Sequence, residues 1–543
     1  MSVAEHEIGT LGDIIASGDI PGVDAGGCIH EIQKMYLHDE RPWVVGYSGG
    51  KDSTITAELV YHAIQLLPSH ERHKPVFVVS SDTLVETPVV VNLIRDTLDA
   101  INSAAERDEL PITAHQVTPR VEKTFWVNLL GKGYPAPTPQ FRWCTENMKI
   151  DPVTAFIKDK ISRYGEVVVV LGARTDESST RAQAMQRHAI ENSRLKRHSS
   201  LPNAFVYTPI EEWSADDVWM ALLQAPTPWG RSNQALFELY KDSNQGECPL
   251  VIDSTTPSCG NSRFGCWTCT VVTKDRAMES LIESGETWMQ RLSEFRNKLA
   301  ESNNPGQREF LRNFKRRTGR VTFYSADRID DDSEHTSQVV RGPYLLSVRK
   351  AWLKELLTIE KGLSETEHAM KLITRPELHQ IRQEWLNDPN EPDWEDSLPK
   401  IFREVYGEDL DWVQNDAGAF GSEEAELISE LATQHGTSPQ LVMRLLDLEL
   451  SLDGLSKRSG IFQKMGSILH QDWDSLEEIQ ATRTVNGTQE YRQVAKDLAL
   501  EGRTTDNGKS RRYRDVFEEV SDKLLAETEH YDALLKELES STP

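Results

Sequence analysis

The sequence predicts an α/β protein built around a parallel sheet, and three observations lead to this fold class. Short β-rich runs alternate with helical stretches between Trp43 and Gly172, which is the pattern of strands joined by crossover helices. The run from Val167 to Leu171 is entirely apolar, as expected of a central strand buried on both faces. A glycine-rich turn at residues 48–53 separates the first strand from the first helix, which favours an anion site.

The individual elements follow from the periodicity of apolar residues. The stretches between the strands carry apolar residues at three- and four-residue spacing, so we expect helices on both faces of the sheet. Ser214 precedes two aspartates and an apolar run through Leu223, which predicts a capped helix start. The predicted strands and helices are Trp43 to Tyr47, Val76 to Ser80, Ile112 to Val117 and Val167 to Leu171, with helices at Thr54 to Leu67 and Pro88 to Ala105.

A length of 543 residues predicts three or four domains. Strand patterns fade from about Ala277 onward and helical periodicity dominates, as in Leu441 to Leu452 and Tyr513 to Leu538. The predicted domains are an N-terminal helical segment at 1–40, a nucleotide-binding α/β domain at 41–230, a cysteine-rich region with a basic helix at 231–340, and an acidic, mainly helical domain at 341–543.

Composition places the chain among folded acidic proteins. Hydrophobic residues make up 38% and there are 13 Trp, which is too much burial capacity for a disordered chain. The sequence shows neither a signal-peptide pattern nor a membrane-spanning apolar run, so we expect a cytoplasmic protein with no membrane partner. Six cysteines are too few and too uneven for a disulfide framework, and four of them lie within residues 248–269, which favours a metal site.

The formal net charge of −26 argues against a protein that simply coats nucleic acid. The charge is uneven, however: residues 384–430 carry 15 acidic and 2 basic residues, whereas Arg308 to Arg320 holds six basic residues and one acidic residue. A basic run is either a solvated face paired with acids elsewhere or a phosphate contact, and the acidic segment is either a solvated face or a docking surface for a basic partner.

The turn at residues 48–53 has the chemistry that a pyrophosphate needs. Gly49 and Gly50 let the backbone approach an anion without a Cβ in the way. Ser48 and Ser53 offer hydroxyl donors, and Lys51 offers a compensating charge. We therefore expect these residues to bind the phosphates of a nucleotide.

The spacing excludes a Walker A loop, because only three residues separate Gly46 from Gly50 and an aspartate follows Lys51. The loop is similar instead to the S-G-G-x-D-S loop of the ATP pyrophosphatases, which cleave ATP between the α and β phosphates and adenylate a substrate. This resemblance implies that Lys51 and Asp52 act in catalysis and that Asp52 helps to hold Mg²⁺ on the leaving pyrophosphate.

Two further polar stretches follow predicted strands, where an α/β nucleotide site should have them. Asp82 comes after the second strand and could accept hydrogen bonds from ribose or from the adenine amino group. Gly172 comes after the last strand and would open space for a base, while Arg174 and Arg181 could bind phosphate through bidentate contacts.

The cysteines Cys248, Cys259, Cys266 and Cys269 have the spacing C-x10-C-x6-C-x2-C. Four thiolates in so short a stretch can surround one ion or one cluster, and the C-x2-C pair supplies two ligands from one tight turn. Spacing alone leaves an iron-sulfur cluster and a structural zinc ion as alternatives. Cys28 has no motif around it.

The order SGGKDST, SDTLVETP and GARTDESSTR resembles the phosphoadenosine phosphosulfate (PAPS) reductase branch of the adenine nucleotide α-hydrolase fold, which contains the pyrophosphatase (PP) loop. Cys144, Thr145, Lys149 and Pro152 are similar to the C-C-x3-K-x2-P signature of iron-sulfur adenylylsulfate reductases, with threonine in place of the second cysteine. The resemblance therefore implies that this chain holds a metal differently from those reductases.

The combination of the PP-loop, RWCT at 142–145, CGNSRFGCWTC at 259–269 and RGPY at 341–344 resembles the DndC family of DNA phosphorothioation proteins, which has SspD as a relative. The resemblance implies ATP pyrophosphatase activity and a 4Fe-4S cluster held by the four clustered cysteines. It also implies DNA as substrate, a cysteine desulfurase of the DndA or IscS type as sulfur source, and DndD- and DndE-like partner subunits.

In this interpretation Cys144 or the cluster presents the sulfur, and Arg142 and Lys149 are expected to lower the pKa of Cys144; a structural role for this cysteine is the alternative. Plain PAPS or adenylylsulfate reduction is a second hypothesis, although no cysteine follows Cys269 here, whereas those reductases use one near the C-terminus. An RNA thiolase of the same fold and an ATP- and cluster-dependent scaffold are further alternatives.

Overall fold

The structure is a computed structural model in which a described residue is one whose placement is defined. No helix among these residues is long and apolar enough to cross a membrane. They fall into two compact units, the larger of which contains everything up to Phe323 together with Val339–Gln471, while Tyr324 and residues 472–480 belong to the smaller. The described residues are 23–177, 183, 185–191, 193–224, 227–243, 265–324, 339–412, 422–451 and 460–480.

A six-stranded sheet with the strand order β3-β2-β1-β4-β6-β5 organises the first half of the chain. Every pairing is parallel except that of β5 with β6. The four predicted strands are confirmed, and the central position of the apolar run, now β4, is confirmed as well. The strands are β1 Trp43–Gly46, β2 Val76–Ser81, β3 Ile112–Val117, β4 Val167–Val170, β5 Lys196–Arg197 and β6 Ala204–Tyr207.

Helices cover both faces of this sheet, as predicted. Val45 and Val78 pack on the face covered by α1, α2, α3 and α5, whereas Val44 and Val79 pack on the opposite face against α4. Alternate residues of a strand point to opposite faces, so β1 and β2 each contribute to both cores. These helices are α1 Ala25–Leu37, α2 Lys51–Gln65, α3 Pro88–Arg107, α4 Asp151–Tyr164 and α5 Ala215–Gln224, with α6 Gln234–Ser243 following them.

The predicted start of the first crossover helix at Thr54 is wrong by three residues, since α2 begins at Lys51. Gly50 has an extended backbone and acts as the N-cap, and its carbonyl oxygen accepts hydrogen bonds from the backbone N–H and the hydroxyl of Thr54. The loop therefore closes one turn earlier than apolar periodicity indicates. The capped start at Ser214 is confirmed, because its hydroxyl accepts from the Asp217 N–H at 3.1 Å.

The rest of the larger unit is helical and has its own core. Trp126, Trp267, Trp385 and Tyr344 are almost fully buried together in it, which explains why strand periodicity disappears from the sequence here. The predicted helix at Leu441 to Leu452 is confirmed, and the one at Tyr513 to Leu538 lies outside the described residues. The helices are α7 Arg276–Glu283, α8 Gln290–Glu301, α9 Pro305–Leu311, α10 Leu346–Ser364, α11 Arg375–Leu386, α12 Ser397–Tyr406, α13 Ser422–Gln434, α14 Pro439–Ser451 and α15 Ile461–Leu469.

The two charged segments differ from simple solvated helix faces. The basic run is not one helix, because α9 ends at Leu311 and all of its basic residues except Arg308 lie beyond that point. In the described part of the acidic segment, several carboxylates form ion pairs with arginines or lysines, among them the buried pair of Asp388 with Arg349 at 2.8 Å. Others that do so are Glu384, Asp393, Asp396, Glu404 and Asp409.

Candidate functional site

The segment Ser48–Ser53, here called the phosphate loop, runs from the end of β1 into the first turn of α2. Gly49 has φ +74, and a Cβ there would lie 2.9 Å from Ile94 Cγ1, so both its conformation and its close approach require glycine. The hydroxyls of Ser48 and Ser53 lie 3.0 Å apart, and Ser53 Oγ donates to the Gly50 carbonyl at 2.9 Å. The loop is thus held in shape by its own side chains.

The N-terminus of α2 faces a tyrosine hydroxyl. The backbone N–H of Lys51 donates to Tyr240 Oη at 3.1 Å, and a Cβ on Gly50 would lie 3.1 Å from the same oxygen. Exposed N–H groups at a helix N-terminus are where anions bind, so the Tyr240 oxygen lies where a phosphate oxygen is expected. Sequence reasoning missed Tyr240, because 189 positions separate it from Lys51 and nothing near it marks a site.

The carboxylate of Asp52 lies between two cations. Lys51 Nζ is 2.8 Å from Asp52 Oδ2, and Arg174 Nε is 2.7 Å from Asp52 Oδ1. Asp52 is 1% exposed and Arg174 is 4% exposed, so these charges interact in a medium that screens them weakly. The structure therefore brings together three of the predicted site residues from two different strand ends, with one more positive charge than negative.

Gly172 serves the packing of the sheet edge against α2. A Cβ on Gly172 would lie 2.3 Å from the Asp52 carbonyl oxygen and 2.8 Å from the hydroxyl of Thr56. The expectation that Gly172 opens space for a base is therefore wrong at this position, because the backbone of α2 occupies that space. The missing side chain instead lets Asp52 approach the strand that carries Arg174.

Asp82 lies at the carboxyl end of β2, the strand next to β1. Its Oδ1 accepts from the Leu84 N–H at 2.8 Å, which holds Leu84 in a left-handed conformation with φ +64. Parallel neighbours end at the same edge, and Gly46 pairs with Val79, so Asp82 and the phosphate loop share this edge. Arg181, the other predicted phosphate contact, lies outside the described residues.

Beneath the loop, α2 carries a fully buried carboxyl group. Glu58 is 1% exposed, and Asn233 Nδ2 donates to its Oε1 at 2.8 Å. Burial raises the pKa of Glu58 to about 8, although the hydrogen bond from Asn233 works in the opposite direction. Near neutral pH this group is therefore poised to change its protonation state.

A second cluster of reactive groups lies at the same sheet edge. The chain beyond Asp82 pairs with the Cys266 segment, since Trp267 N donates to the Val85 oxygen at 3.0 Å and Thr87 N donates to the Gly265 oxygen at 3.1 Å. The Thr83 hydroxyl lies 3.3 Å from Cys266 Sγ. The C-x2-C segment is thus seated directly on the loop that follows β2.

Cys266 and Cys269 lie in one tight turn, in which the Cys269 N–H donates to the Cys266 oxygen at 3.0 Å. Arg296, which is fully buried, fixes the turn by donating to the Cys269 oxygen at 2.7 Å. Burial raises the pKa of the Cys266 thiol to about 12. Among the residues that the structure describes, no three His, Cys, Asp or Glu side chains form a group that could hold a metal ion; the predicted ligands Cys248 and Cys259 lie outside them.

Cys144 reaches this turn from a third segment, next to the π-helical turn Glu146–Ile150. Burial raises its pKa, and Cys269 adds to the rise because it lies within electrostatic range. Lys149 and Arg142 act in the opposite direction but do not outweigh burial, so the prediction of a lowered pKa is wrong. Cys144, Cys266 and Cys269 are called the thiol cluster below.

Lys149 and Glu86 accompany the thiol cluster. Burial raises the pKa of Glu86 to about 7, and Lys149 opposes that rise. The turn that carries Lys149 is fastened to the sheet, because Ser81 Oγ donates to the Met148 oxygen at 2.8 Å. Glu86 was present in the motif after β2, but no spacing rule marks it as a neighbour of Cys266.

Comparison with known proteins gives a family for part of the chain. Residues 42–272 match the family model of the phosphoadenosine phosphosulfate reductase domain, which is less than half of the chain. This segment is therefore a PAPS reductase-like, nucleotide-binding α/β domain, and it includes both the phosphate loop and the thiol cluster. ATP is consistent with such a fold.

Two uncharacterized proteins of Methanocaldococcus jannaschii are similar in sequence. One is 26% identical over 207 residues, which is 38% of this chain and 36% of that protein. The other is 25% identical over 224 residues, which is 41% of this chain and 40% of that protein. The chain therefore matches well under half the length of these relatives.

Among solved structures, PAPS reductase from Candida auris, in a phosphate complex, aligns with a TM-score of 0.26 and 13% identity over 44% of this chain and 93% of that chain. FMN adenylyltransferase from Candida glabrata, with FAD and inorganic pyrophosphate, aligns with a TM-score of 0.22 and 12% identity over 44% of this chain and 65% of that one. These scores are low, so the fold assignment rests on the strand order and the family match.

Proposed function

We propose that the protein is a DNA phosphorothioation sulfurtransferase that uses ATP to adenylate a DNA phosphate, releases pyrophosphate, and takes part in replacing a nonbridging oxygen with sulfur. One observation carries the proposal: the phosphate loop and the thiol cluster lie at the same edge of the sheet, at the ends of the adjacent strands β1 and β2. A site that combines nucleotide activation with sulfur delivery needs these two groups side by side.

The chemistry explains why both groups are needed. An oxide ion does not leave a phosphodiester, so the nonbridging oxygen must first become part of a better leaving group. Attack of that oxygen on the α-phosphorus of ATP forms the adenylated phosphodiester and breaks the bond to pyrophosphate. A sulfur nucleophile then attacks the DNA phosphorus, and AMP departs with the original oxygen.

The phosphate loop supplies the first step. Ser48, Gly49, Gly50 and Ser53 present hydroxyl and backbone donors to the pyrophosphate. Lys51 and Arg174, which hold Asp52 at 2.8 and 2.7 Å, turn toward the phosphates when a nucleotide binds. Asp52 then faces the Mg²⁺ that accompanies ATP, since carboxylate oxygens are the ligands that this hard cation prefers.

Asp82 completes the nucleotide site. Its Oδ2 is the carboxylate oxygen that does not hold the Leu84 N–H, and Gln116 Nε2 lies 3.4 Å from it. This oxygen can exchange its long contact for the ribose or the adenine amino group. We also propose Arg181 as a phosphate contact, on its position in the motif after β4.

Cys144 carries the sulfur in this proposal. A cysteine desulfurase of the DndA or IscS type would load it as a persulfide, whose terminal sulfur attacks the DNA phosphorus. The product is then joined to Cys144 through a disulfide. A thiol reductant attacks the Cys144 sulfur, which releases the thiophosphate and leaves a mixed disulfide that a second thiol resolves.

The residues of the C-x2-C turn fit an iron-sulfur site. The turn presents two thiols from one backbone bend, Arg296 fixes it, and the Thr268 hydroxyl is buried without a hydrogen-bond partner among the described groups. We propose that Cys248 and Cys259 join Cys266 and Cys269 in holding a 4Fe-4S cluster. When bound, the cluster would supply electrons for the reductive release of sulfur. Iron, zinc and sulfide counts after anaerobic purification test this assignment, which one zinc ion in a colourless protein would contradict.

Reduction of PAPS or adenylylsulfate is the second candidate, because the matched family model is that of the PAPS reductase domain. Such an enzyme would form sulfite from a sulfonucleotide and would not consume ATP. Assaying both reactions with one preparation separates the candidates. DndD- and DndE-like subunits belong to the first proposal alone.

The test of the proposed function is Asp52→Ala in the full-length protein, supplied with ATP, Mg²⁺, DNA and a cysteine desulfurase. Loss of the carboxylate should lower pyrophosphate release by about 10²-fold or more and lower the phosphorothioate content of the DNA in parallel. Asp99→Ala is the matched control, since Asp99 is an exposed carboxylate on α3 of the same domain. If pyrophosphate release and DNA sulfur both survive Asp52→Ala, the catalytic assignment is wrong and a scaffold role gains support.

A further inference from the structure

A group of arginines collects on the larger unit, away from the sheet, and is called the basic cluster here. Its centre is the backbone at Arg341: Arg312 Nη2 and Arg316 Nη1 both donate to the Arg341 oxygen, at 2.7 and 3.1 Å, and Arg312 Nε donates to the Gly342 oxygen at 2.8 Å. The members of the basic cluster are Arg308, Arg312, Lys315, Arg316, Arg317, Arg320 and Arg341.

The remaining members are tied to the same framework. Arg316 and Arg320 face each other across a tight turn, in which the Arg316 N–H donates to the Arg320 oxygen at 2.8 Å and Gly319 has φ +76. Burial raises the pKa of Tyr344, and both Arg312 and Arg308 lie close enough to oppose that rise. The basic residues therefore converge in space as well as in sequence.

Many of the hydrogen bonds that fix the basic cluster go to backbone carbonyl groups, which position a guanidinium without neutralising it. Two carboxylates reach the cluster within 4 Å, Glu384 on Arg317 at 3.3 Å and Glu309 on Arg341 at 3.6 Å. Even with these two negative charges counted, the seven positive charges form a local site for an anionic partner in a chain of net charge −26.

An exposed aromatic ring lies on the helix that enters the basic cluster. Phe310 on α9 is 75% exposed, two residues after Arg308. A phosphate backbone explains arginines, but it gives no reason to expose a phenyl ring. Unstacked bases do, because arginines along a backbone and an aromatic ring under a base are the two contacts of single-stranded nucleic acid sites.

The basic cluster is also close to the thiol cluster along the chain. Arg317 Nη1 donates to the Lys132 oxygen at 2.7 Å, and the hydroxyl of Thr270, which follows Cys269, donates to the Pro137 oxygen at 2.7 Å. Five residues of extended chain span at most about 18 Å. A strand of nucleic acid bound at the arginines therefore passes within a few nucleotides of the thiols.

We propose that the basic cluster and Phe310 form a docking surface for single-stranded DNA, which holds the strand beside the thiol cluster. The inference rests on the proposed function for the identity of the nucleic acid as DNA. Arg308, Arg316 and Arg320 contact phosphates, and Phe310 stacks on a base. A duplex presents no free base faces, so it binds through the arginines alone.

The test measures binding of a fluorescein-labelled single-stranded oligonucleotide to the full-length protein by anisotropy, without ATP. Arg316→Glu/Arg320→Glu should raise the Kd about tenfold or more and reduce the slope of log K against log salt by about 1. Lys158→Glu/Arg163→Glu on α4 makes the same change in charge at an exposed site and should shift the Kd less than about twofold. Equal weakening by both pairs, or none by the first, overturns the proposal.

Phe310→Ala distinguishes the nature of the partner. It should weaken binding of the single strand about fivefold or more and leave binding of a duplex of the same sequence unchanged. Competition by polyglutamate as strong as that by the oligonucleotide would contradict a nucleic acid surface. Because no nucleotide hydrolysis enters this assay, failure of the pyrophosphatase proposal leaves its result intact, and pyrophosphate release by the arginine variants without DNA reports that they fold.

Discussion

The phosphate loop and the thiol cluster lie at one sheet edge but are built in opposite ways. The phosphate loop is a single run of six residues between β1 and α2, closed by contacts such as Ser48 to Ser53 at 3.0 Å. The thiol cluster is assembled from three segments that are far apart in sequence, around Thr83, Cys144 and Cys266. The first is local and the second depends on the tertiary fold.

The difference matters for chemistry as well as for recognition. Asp52 in the phosphate loop already has two cationic partners, so this side is preorganised for phosphate charge. In the thiol cluster, burial raises the pKa of Cys144, so the thiol is unreactive until a sulfur donor, a metal or a nucleotide changes its surroundings. We infer that activation of ATP can proceed alone, whereas sulfur transfer needs the assembled site.

The largest expected effect separates the two regions completely. Cys144→Ser should abolish incorporation of sulfur into DNA, because the hydroxyl cannot carry a persulfide. It should leave pyrophosphate release within about twofold, since the phosphate loop is intact. Radioactive sulfur from labelled cysteine in the DNA and pyrophosphate release measure the two halves in one reaction.

Cys28→Ser is the control for this prediction. Cys28 Sγ contacts the Pro209 oxygen at 3.6 Å and packs in the core beneath α1, whereas Cys144 packs in the separate helical core. Both activities should persist in this variant. Sulfur incorporation at the normal rate by Cys144→Ser would show that the thiol cluster does not deliver sulfur through this residue.

The next effect probes the support beneath the phosphate loop. Glu58 has a folded pKa of about 8, above its unfolded value of 4.5, so the stability that it contributes is full below about pH 4.5 and is lost as the pH rises through 8. Glu58→Gln keeps an acceptor for Asn233 but cannot ionise. The variant should therefore match the wild type near pH 5 and be more stable by a few kcal/mol near pH 8.5, at about 1.4 kcal/mol per pKa unit.

Urea unfolding of both proteins at the two pH values measures this difference. Glu367→Gln is the matched control, because it replaces a carboxylate side chain that is 89% exposed and should show no such pH dependence. A wild type that is as stable as Glu58→Gln near pH 8.5 would mean that Glu58 is not buried in the folded protein.

The smallest effect concerns Tyr240, whose hydroxyl accepts the Lys51 N–H at 3.1 Å. Tyr240→Phe removes a competitor for that N–H and should tighten ATP binding about threefold to tenfold, the equivalent of one ordinary hydrogen bond. Tyr164→Phe is the control, since Tyr164 is 49% exposed on α4. Calorimetric titration with ATP measures the change, and weaker binding by Tyr240→Phe would assign the hydroxyl to phosphate recognition instead.

The sequence was sufficient for the sheet because each core strand has a local signature. Val167–Val170 is uniformly apolar and became the buried central strand, and helices at three- and four-residue spacing fell where they were predicted. The two-residue strand β5 has no periodicity to detect. The start of α2 was placed late because capping by Gly50 depends on backbone conformation, which apolar spacing does not report.

The site divides in the same way. Lys51, Asp52 and the glycines were readable because the motif is contiguous, and Arg174 was readable because it follows a strand. Tyr240, Glu58 with Asn233, and Glu86 could not be found, since each becomes part of the site only through long-range packing. The pKa of Cys144 was mispredicted because nearby cations are visible in sequence, whereas burial is not.

The most direct measurement of the central claim is the identity of the products that the full-length protein forms from ATP in the presence of DNA. ATP labelled at the α and γ phosphates should give AMP and pyrophosphate in equal amounts, and Asp52→Ala should lose both together. Formation of ADP and inorganic phosphate would contradict the account, because it would place the cleavage at the wrong phosphate for adenylation.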